Sequence, residues 1–248
     1  MSVADIAARF RAGVYGTARR AARRGRHPNR AVGNPAGPPQ TLPVPRKPAG
    51  KSDCRPTRRV GTIAGMLAAD APDCLIVTGM PGAGKSTVTR LVAERLPRSA
   101  RLDGDFVSRL VVSGRVGALG EPADEAARQV RLCNRNLCTL ANNFSDAGFT
   151  PVIDWVVPDR AQLDFFLSLL TPRQVLFVVL APGIEACRYR NTLRDPRERF
   201  DFDGYEALDA AMKRELGDVG WWFDTASLTP EETADRLVRE ARRRALVN

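Results

Sequence analysis

Histidine is almost absent from this sequence, which contains a single one, His27. Because His27 lies in an N-terminal segment rich in arginine and proline, Ser/His and Cys/His mechanisms are excluded for the rest of the chain. Disulfide and zinc chemistry also lack support, since the cysteines are odd in number and show no CxxC spacing. We expect all five to be small buried hydrophobic residues: Cys54, Cys74, Cys133, Cys138 and Cys187.

Long apolar runs are missing as well. No stretch approaches the ~20 apolar residues that a membrane-spanning helix needs. No short apolar segment precedes a small-residue cleavage site of the secretory type. The sequence therefore predicts a cytoplasmic protein without a membrane span.

Acidic residues are scarce at the N terminus. Residues 1–59 contain 14 Lys or Arg and only two Asp, a net charge of +12. Since the whole chain carries +10, the remaining 189 residues carry −2. Eight prolines interrupt residues 28–58, which cannot bury enough apolar surface to offset their chain entropy. We expect a disordered basic extension over 1–59 and a globular domain over 60–248.

The basic extension leaves several roles open. An arginine-rich, acid-poor N terminus fits a targeting segment, a weak contact to nucleic acid or an anionic membrane, or a solvated appendage. The domain itself is nearly neutral, which makes nucleic acid an unlikely partner for it. The sequence does not predict an oligomeric state.

From residue 60 onward, strand and helix patterns alternate. Short apolar runs predict strands at 74–78, 100–102, 150–157, 174–180 and 221–224. Helical patterns follow the strands at 85–96, 123–146, 160–170 and 231–245, and another begins at 184. Thr229 and Pro230 open the last of these helices as N-cap and first helical residue. The alternation predicts an α/β fold with a five-stranded parallel sheet and helices on both faces. Ligands in such folds bind at the carboxyl ends of the strands.

A glycine-rich loop follows the first predicted strand. Residues 79–86, GMPGAGKS, match G-x-x-x-x-G-K-[ST] at every fixed position, and a helix follows as the motif requires. Backbone N–H groups of such a loop converge on phosphate oxygens, Lys85 reaches the β and γ phosphates, and Ser86 supplies a hydroxyl to Mg²⁺. We predict a P-loop NTPase fold with ATP and Mg²⁺ as cofactors, the nucleotide held by Gly79, Met80, Pro81, Gly82, Ala83, Gly84, Lys85, Ser86 and Thr87.

Carboxylates end the next two strands. Asp103 and Asp105 in LDGD point toward the region beside the loop, where Asp105 is the candidate catalytic base. Asp103 is a candidate for substrate binding. For both aspartates, the alternative is to cap the helix that begins near Phe106. Asp154 in PVIDW could hold the Mg²⁺ shell, bind an acceptor hydroxyl, or serve only the structure.

Five arginines lie in RYRNTLRDPRER. Arg190, Arg194 and Arg197 recur at helical spacing. We expect Pro196 to end the helix near Asp195. As an arginine-rich lid, they would neutralise charge on a transferring phosphoryl group and exclude water, with Arg190 and Arg194 as the catalytic candidates. The alternative is a solvated helix whose arginines pair with neighbouring acids.

The segments LDGD and FSDAGFTPVID resemble the adenylylsulfate kinases. Over about residues 72–245, the order of motifs up to DTASLTPEETADRL is similar to the small-molecule P-loop phosphotransferases, which include chloramphenicol phosphotransferase and the zeta toxins. The resemblance implies transfer of the ATP γ-phosphate to a small-molecule hydroxyl, with Asp105 as base and Arg109 holding substrate. Adenylylsulfate kinases carry that arginine one position earlier, where this sequence has Ser108, so adenylylsulfate itself is not predicted.

The sequence is also compatible with two other functions. A nucleotide-switched binding or regulatory protein would use the same loop without phosphoryl transfer. A kinase for polynucleotide ends would need a basic groove within a domain whose overall charge is slightly negative.

Overall fold

The computed structural model describes residues 73–170, 173–195, 199 and 202–247. The predicted extension over 1–59 and the first residues of the predicted domain lie outside this part of the chain. Pro196 and Arg197 of the predicted lid lie outside it too.

The central sheet consists of five parallel strands, as predicted. In chain order they are β1 (Cys74–Thr78), β2 (Ser99–Asp103), β3 (Thr150–Asp154), β4 (Val175–Leu180) and β5 (Trp221–Phe223). Their spatial order is β2-β3-β1-β4-β5. Every residue of β1 and β4 is buried, which explains why these strands are continuous apolar runs rather than alternating ones.

A sixth strand was not predicted. Residues Leu246–Val247 form β6, which pairs antiparallel with the first half of β4 through Val175↔Val247 and Leu176↔Leu246. Two residues are too few to show an alternating pattern, so the sequence could not predict this strand. It forms because β5 leaves the first half of β4 open for pairing.

Seven helices connect and flank the strands in the described chain. They are α1 (Lys85–Arg95), α2 (Gly104–Arg109), α3 (Ala123–Asp146), α4 (Arg160–Leu170), α5 (Ile184–Thr192), α6 (Tyr205–Leu216) and α7 (Pro230–Arg244). The start of α7 confirms the predicted cap: Thr229 Oγ1 accepts from the Glu232 N–H at 3.1 Å, and Glu232 Oε2 accepts from the Thr229 N–H at 2.9 Å.

The predicted end of α5 at Pro196 is wrong by several residues. The helix ends at Thr192, and the Arg194 N–H donates to the Asn191 carbonyl at 3.3 Å. This is a bond three residues back, so the chain tightens into a turn before it reaches the proline.

Strand register brings the ends of three strands together. Val77 lies beside Asp154, and Asp154 lies beside Asp103, so the carboxyl ends of β1, β3 and β2 share one sheet edge. The Thr78 hydroxyl accepts a hydrogen bond from the Val157 N–H at 2.8 Å and fixes the chain that leaves β3. This edge carries the site described below.

The four cysteines of the described chain are free and buried, as expected. Burial raises the pKa of the Cys187 thiol to about 11, so it behaves as a hydrophobic residue. None of the helices in the described chain is long and apolar enough to cross a membrane.

Candidate active site

The loop between β1 and α1 is shaped by its glycines. Gly79, Gly82 and Gly84 have φ angles of +142°, +83° and +97°, a region that L side chains rarely adopt. A Cβ atom on Gly82 would lie 2.3 Å from the Cys187 carbonyl oxygen, and one on Gly79 would lie 2.6 Å from that of Leu180. The loop is therefore packed directly against the backbone of α5 and the end of β4.

Lys85 begins α1 and is buried beneath the loop. Its Nζ donates to the carbonyl oxygens of Gly79 and Met80 at 2.9 and 3.0 Å. Burial lowers the pKa of Lys85, and the negative charges of Asp154 and Asp105 oppose that change. The lysine side chain is thus buried and held at the loop by two carbonyl acceptors.

The N-terminus of α1 has no side-chain cap, because its N-cap residue is Gly84. Helix N-termini leave backbone N–H groups without an intrahelical acceptor and carry a partial positive charge. Ser86 and Thr87, in this first turn, are exposed. The turn is therefore suited to bind an anion such as phosphate.

A polar cleft opens above the loop. It brings together eight of the predicted site residues, and the chain that leaves β3 supplies two further wall residues. The lining residues are Gly82, Gly84, Lys85, Ser86, Thr87, Asp105, Asp154, Trp155, Val156 and Arg194.

A second cleft, here called the side cleft, adjoins the loop on the side of α5 and α7. It has a volume of about 350 Å³ and mixes apolar and polar walls. Its lining residues are Gly82, Ala83, Gly84, Thr87, Val88, Arg190, Leu193, Arg194, Thr225, Leu228, Pro230 and Thr233. Gly82, Gly84, Thr87 and Arg194 line both clefts, so a single extended ligand can occupy the two.

Asp105 lies in the first turn of α2. Burial raises the pKa of its carboxyl group, and the charges of Asp103 and Asp154 raise it further, against the opposing effect of Lys85. Helix capping falls to Asp103 instead, whose Oδ1 accepts from the Phe106 N–H at 3.1 Å. Asp105 is consequently free of the structural role that sequence reasoning left open for it.

Asp154 is buried at the end of β3, with 6% of its surface exposed. Its Oδ2 accepts from Arg101 Nη2 at 2.7 Å and from Thr89 Oγ1 at 3.4 Å. Arg101 also donates to Asp103 at 3.1 Å and to Thr89 at 2.9 Å. Sequence reasoning missed Arg101, although a lone arginine between Ala100 and Leu102 in a short strand could have drawn attention to it.

The predicted lid arginines differ in their surroundings. Arg190 Nη1 donates to the Ala83 carbonyl at 3.1 Å and lines the side cleft, whereas Arg194 lines both clefts. Arg188 turns toward α6, where it pairs with Glu206 at 2.6 Å. Among the arginines of this segment that the structure describes, Arg194 is therefore the one that lines the polar cleft.

Arg109 lies at the exposed end of α2, outside the residues that line either cleft. Its positive charge still lowers the pKa of Asp105 slightly. Arg109 is thus close enough to interact with a molecule bound beside Asp105.

No protein-family model matches the chain, and no curated protein matches its sequence. Solved structures do resemble it. An unliganded sugar kinase from Janibacter sp. HTCC2649 is 19% identical over 67% of this chain and 92% of its own, with a TM-score of 0.53. The tunicamycin resistance protein of Deinococcus radiodurans is 17% identical over 71% of this chain and 98% of its own, with a TM-score of 0.51. The described chain thus has the fold of the small-molecule P-loop kinases.

Proposed function

We propose that this protein is a kinase that transfers the γ-phosphoryl group of ATP to a hydroxyl group of a small molecule. The observation that best supports this function is the convergence of Lys85, Asp105 and Arg194 on one polar cleft beside the glycine loop. A phosphate-binding loop, a cationic group and a carboxylate of raised pKa are the parts that phosphoryl transfer requires.

The donor nucleotide would extend through both clefts. Its triphosphate would contact the backbone N–H groups of the loop and the first turn of α1, and its nucleoside would fill the side cleft. Lys85 would exchange the carbonyl oxygens of Gly79 and Met80 for phosphate oxygens. Arg194 would then neutralise charge on the transferring group, because it lines both clefts.

The acceptor would bind beside Asp105. Its hydroxyl oxygen would attack the γ-phosphorus, the bond from that phosphorus to the β–γ bridging oxygen would break, and ADP would leave. The hydroxyl proton would pass to the Asp105 carboxylate, whose raised pKa makes it a stronger base than an ordinary aspartate. Arg109 would contact the acceptor from the exposed end of α2.

Magnesium fits this set of donors. The Ser86 hydroxyl and the Asp154 carboxylate both line the polar cleft. No group of three His, Cys, Asp or Glu residues in the described chain could hold a metal by itself. Mg²⁺ commonly takes most of its ligands from phosphate and water, and it would neutralise the phosphate oxygens when bound.

A transfer assay tests the proposal. The protein is incubated with Mg²⁺ and ATP labelled at the γ-phosphate, together with a panel of sugars, nucleosides, hydroxy acids and hydroxylated antibiotics. We expect label on at least one compound, and a decrease of about 10²–10⁴-fold in kcat for Asp105→Asn. Asp164→Asn is the matched control, because Asp164 is exposed on α4 and pairs with Arg160 at 2.9 Å.

Several outcomes would contradict the proposal. Equal transfer by wild type and Asp105→Asn would remove Asp105 from the mechanism. ATP binding without label on any acceptor would favour a nucleotide-switched protein. Label confined to oligonucleotide ends would favour a polynucleotide kinase.

A further inference from the structure

Arg101 contacts acceptors on three different elements. From β2, its guanidinium group donates to Asp154 at the end of β3 at 2.7 Å and to Asp103 at the end of β2 at 3.1 Å. Its Nε donates to Thr89 Oγ1 on α1 at 2.9 Å. A planar guanidinium with several fixed donors can satisfy such a set, whereas the single ammonium group of lysine cannot reproduce its geometry.

The two oxygens of Asp154 are in different situations. Oδ2 accepts from Arg101 and Thr89, while Oδ1 accepts no hydrogen bond from the residues that the structure describes. Asp154 is buried and also lines the polar cleft. The protein therefore holds one carboxylate oxygen and leaves the other for a ligand.

Arg101 also changes the charge at this edge of the sheet. Its guanidinium cannot lose its proton in a protein, so a fixed positive charge lies 2.7 Å from Asp154. That charge offsets the carboxylate and repels a second cation nearby. Asp154 is consequently a poor direct ligand for a metal ion but a well-oriented hydrogen-bond acceptor.

We propose that Arg101 is a positioning residue that holds Asp154 by one carboxylate oxygen and keeps this carboxylate from ligating Mg²⁺ directly. The proposal rests on the proposed kinase function and refines the predicted role of Asp154 as a metal residue. Arg101 lines neither cleft and acts through Asp154.

Magnesium-dependent nucleotide affinity tests the proposal. Arg101→Met keeps an unbranched stem and removes the charge, and Arg101→Lys keeps the charge. Isothermal titration calorimetry would give the affinity for ATP at a series of Mg²⁺ concentrations. We expect Arg101→Met to tighten Mg²⁺ binding by about tenfold, because a nearby cation is lost and the Asp154 carboxylate is released. Arg101→Lys should stay closer to wild type.

Two further variants make the result specific. Arg90→Met removes an exposed arginine of α1 that pairs with Glu94 at 2.7 Å, and should leave the Mg²⁺ dependence unchanged. The double variant Arg101→Met/Asp154→Asn should lose the gain in Mg²⁺ affinity. Because it leaves no unpaired buried charge at Asp154, it shows whether the gain comes from that carboxylate. If Arg101→Met fails to fold, Arg101→Gln replaces it, because glutamine also removes the charge but keeps an amide donor for Asp154.

The proposal would be overturned by Mg²⁺ binding that is unchanged or weaker in folded Arg101→Met. It would also fail if the double variant bound Mg²⁺ as tightly as Arg101→Met. If the wild-type protein bound no nucleotide, the kinase function would fail on its own. Electron paramagnetic resonance would then measure Mn²⁺ binding to the nucleotide-free protein. Tighter Mn²⁺ binding in Arg101→Met than in wild type would support the proposed role of Arg101, and equal binding would refute that role.

Discussion

The two sides of the polar cleft are built differently. On the donor side, backbone atoms determine the geometry: the loop packs against the carbonyl oxygens of Leu180 and Cys187, and Lys85 is bonded to the loop itself. On the proposed acceptor side, Asp105 lies in α2, where Phe106 and, just past the helix end, Leu110 are each 60% exposed. The comparison indicates that backbone contacts fix the loop side of the cleft, and we propose that acceptor choice depends on side chains of α2.

The largest expected effect separates the arginines of the α5 segment. Arg194→Ala should lower kcat by about 10³-fold or more, because an arginine on the transferring group has effects of this size in other phosphoryl-transfer enzymes. Arg188→Ala is the control, since Arg188 pairs with Glu206 away from the loop. Steady-state transfer assays would check the pair, and equal rates for the two variants would contradict the placement of Arg194.

A smaller loss is expected for the lysine of the donor side. Lys85→Met should reduce kcat/KM by about 10²–10³-fold, because one buried charged donor to the phosphates is removed. Lys213 is the other lysine of the described chain and pairs with Asp209 on the surface of α6. Lys213→Met should therefore keep wild-type kinetics, and a similar loss in both lysine variants would argue against a specific role for Lys85.

Two glycines test whether backbone contacts form the donor side. Gly82→Ala and Gly114→Ala both place a side chain at positive φ, +83° and +72°, which costs about 1–2 kcal/mol in either case. Only the Gly82 Cβ meets another atom, the Cys187 oxygen at 2.3 Å, whereas nothing lies within 4 Å of a Cβ at Gly114. We expect Gly82→Ala to weaken ATP binding by more than about tenfold, from a clash of roughly 1–3 kcal/mol. Calorimetry should show unchanged binding for Gly114→Ala.

The smallest expected effect concerns stability. Because burial raises the pKa of Asp105, the folded protein binds this proton more tightly than the unfolded chain. Stability therefore decreases as pH rises from the ordinary value of 3.8 through the raised pKa, and the ionised carboxylate is unfavourable at neutral pH. Asp105→Asn should increase the free energy of unfolding at pH 7 by on the order of 1 kcal/mol.

Thermal unfolding of wild type and Asp105→Asn across pH would check this sign. The difference in Tm should narrow as the pH falls toward 3.8, where the unfolded carboxyl also gains its proton. A variant that is less stable than wild type at pH 7 would indicate that attraction to Lys85 outweighs the cost of burial. The same variant should show lower activity despite its higher stability.

Much of the donor side could be predicted from sequence, because its determinants are local. The spacing of Gly79, Gly84 and Lys85 specifies both the loop and its position between β1 and α1. The sequence also placed Asp105 and Asp154 near the loop, because the carboxyl ends of the strands in a parallel sheet meet at one edge. The predicted roles of these residues in catalysis remain predictions.

Other features depend on residues far apart in the chain. Arg101 pairs with Thr89 and Asp154, 12 and 53 residues away, and no sequence period joins them. The antiparallel pairing of β6 depends on the open edge of β4. The helix α5 ends early because the chain forms a tight turn at Arg194. The position of Pro196 in the sequence did not predict this turn.

A crystal structure with a nonhydrolysable ATP analogue and Mg²⁺ tests most directly whether the two sides form one kinase site. We predict the triphosphate on the loop, the nucleoside in the side cleft, and the γ-phosphate between Lys85 and Asp105, with Arg194 in contact with it. Asp154 should meet the metal through water rather than directly. A γ-phosphate that points away from Asp105, or a nucleotide bound elsewhere, would contradict the account.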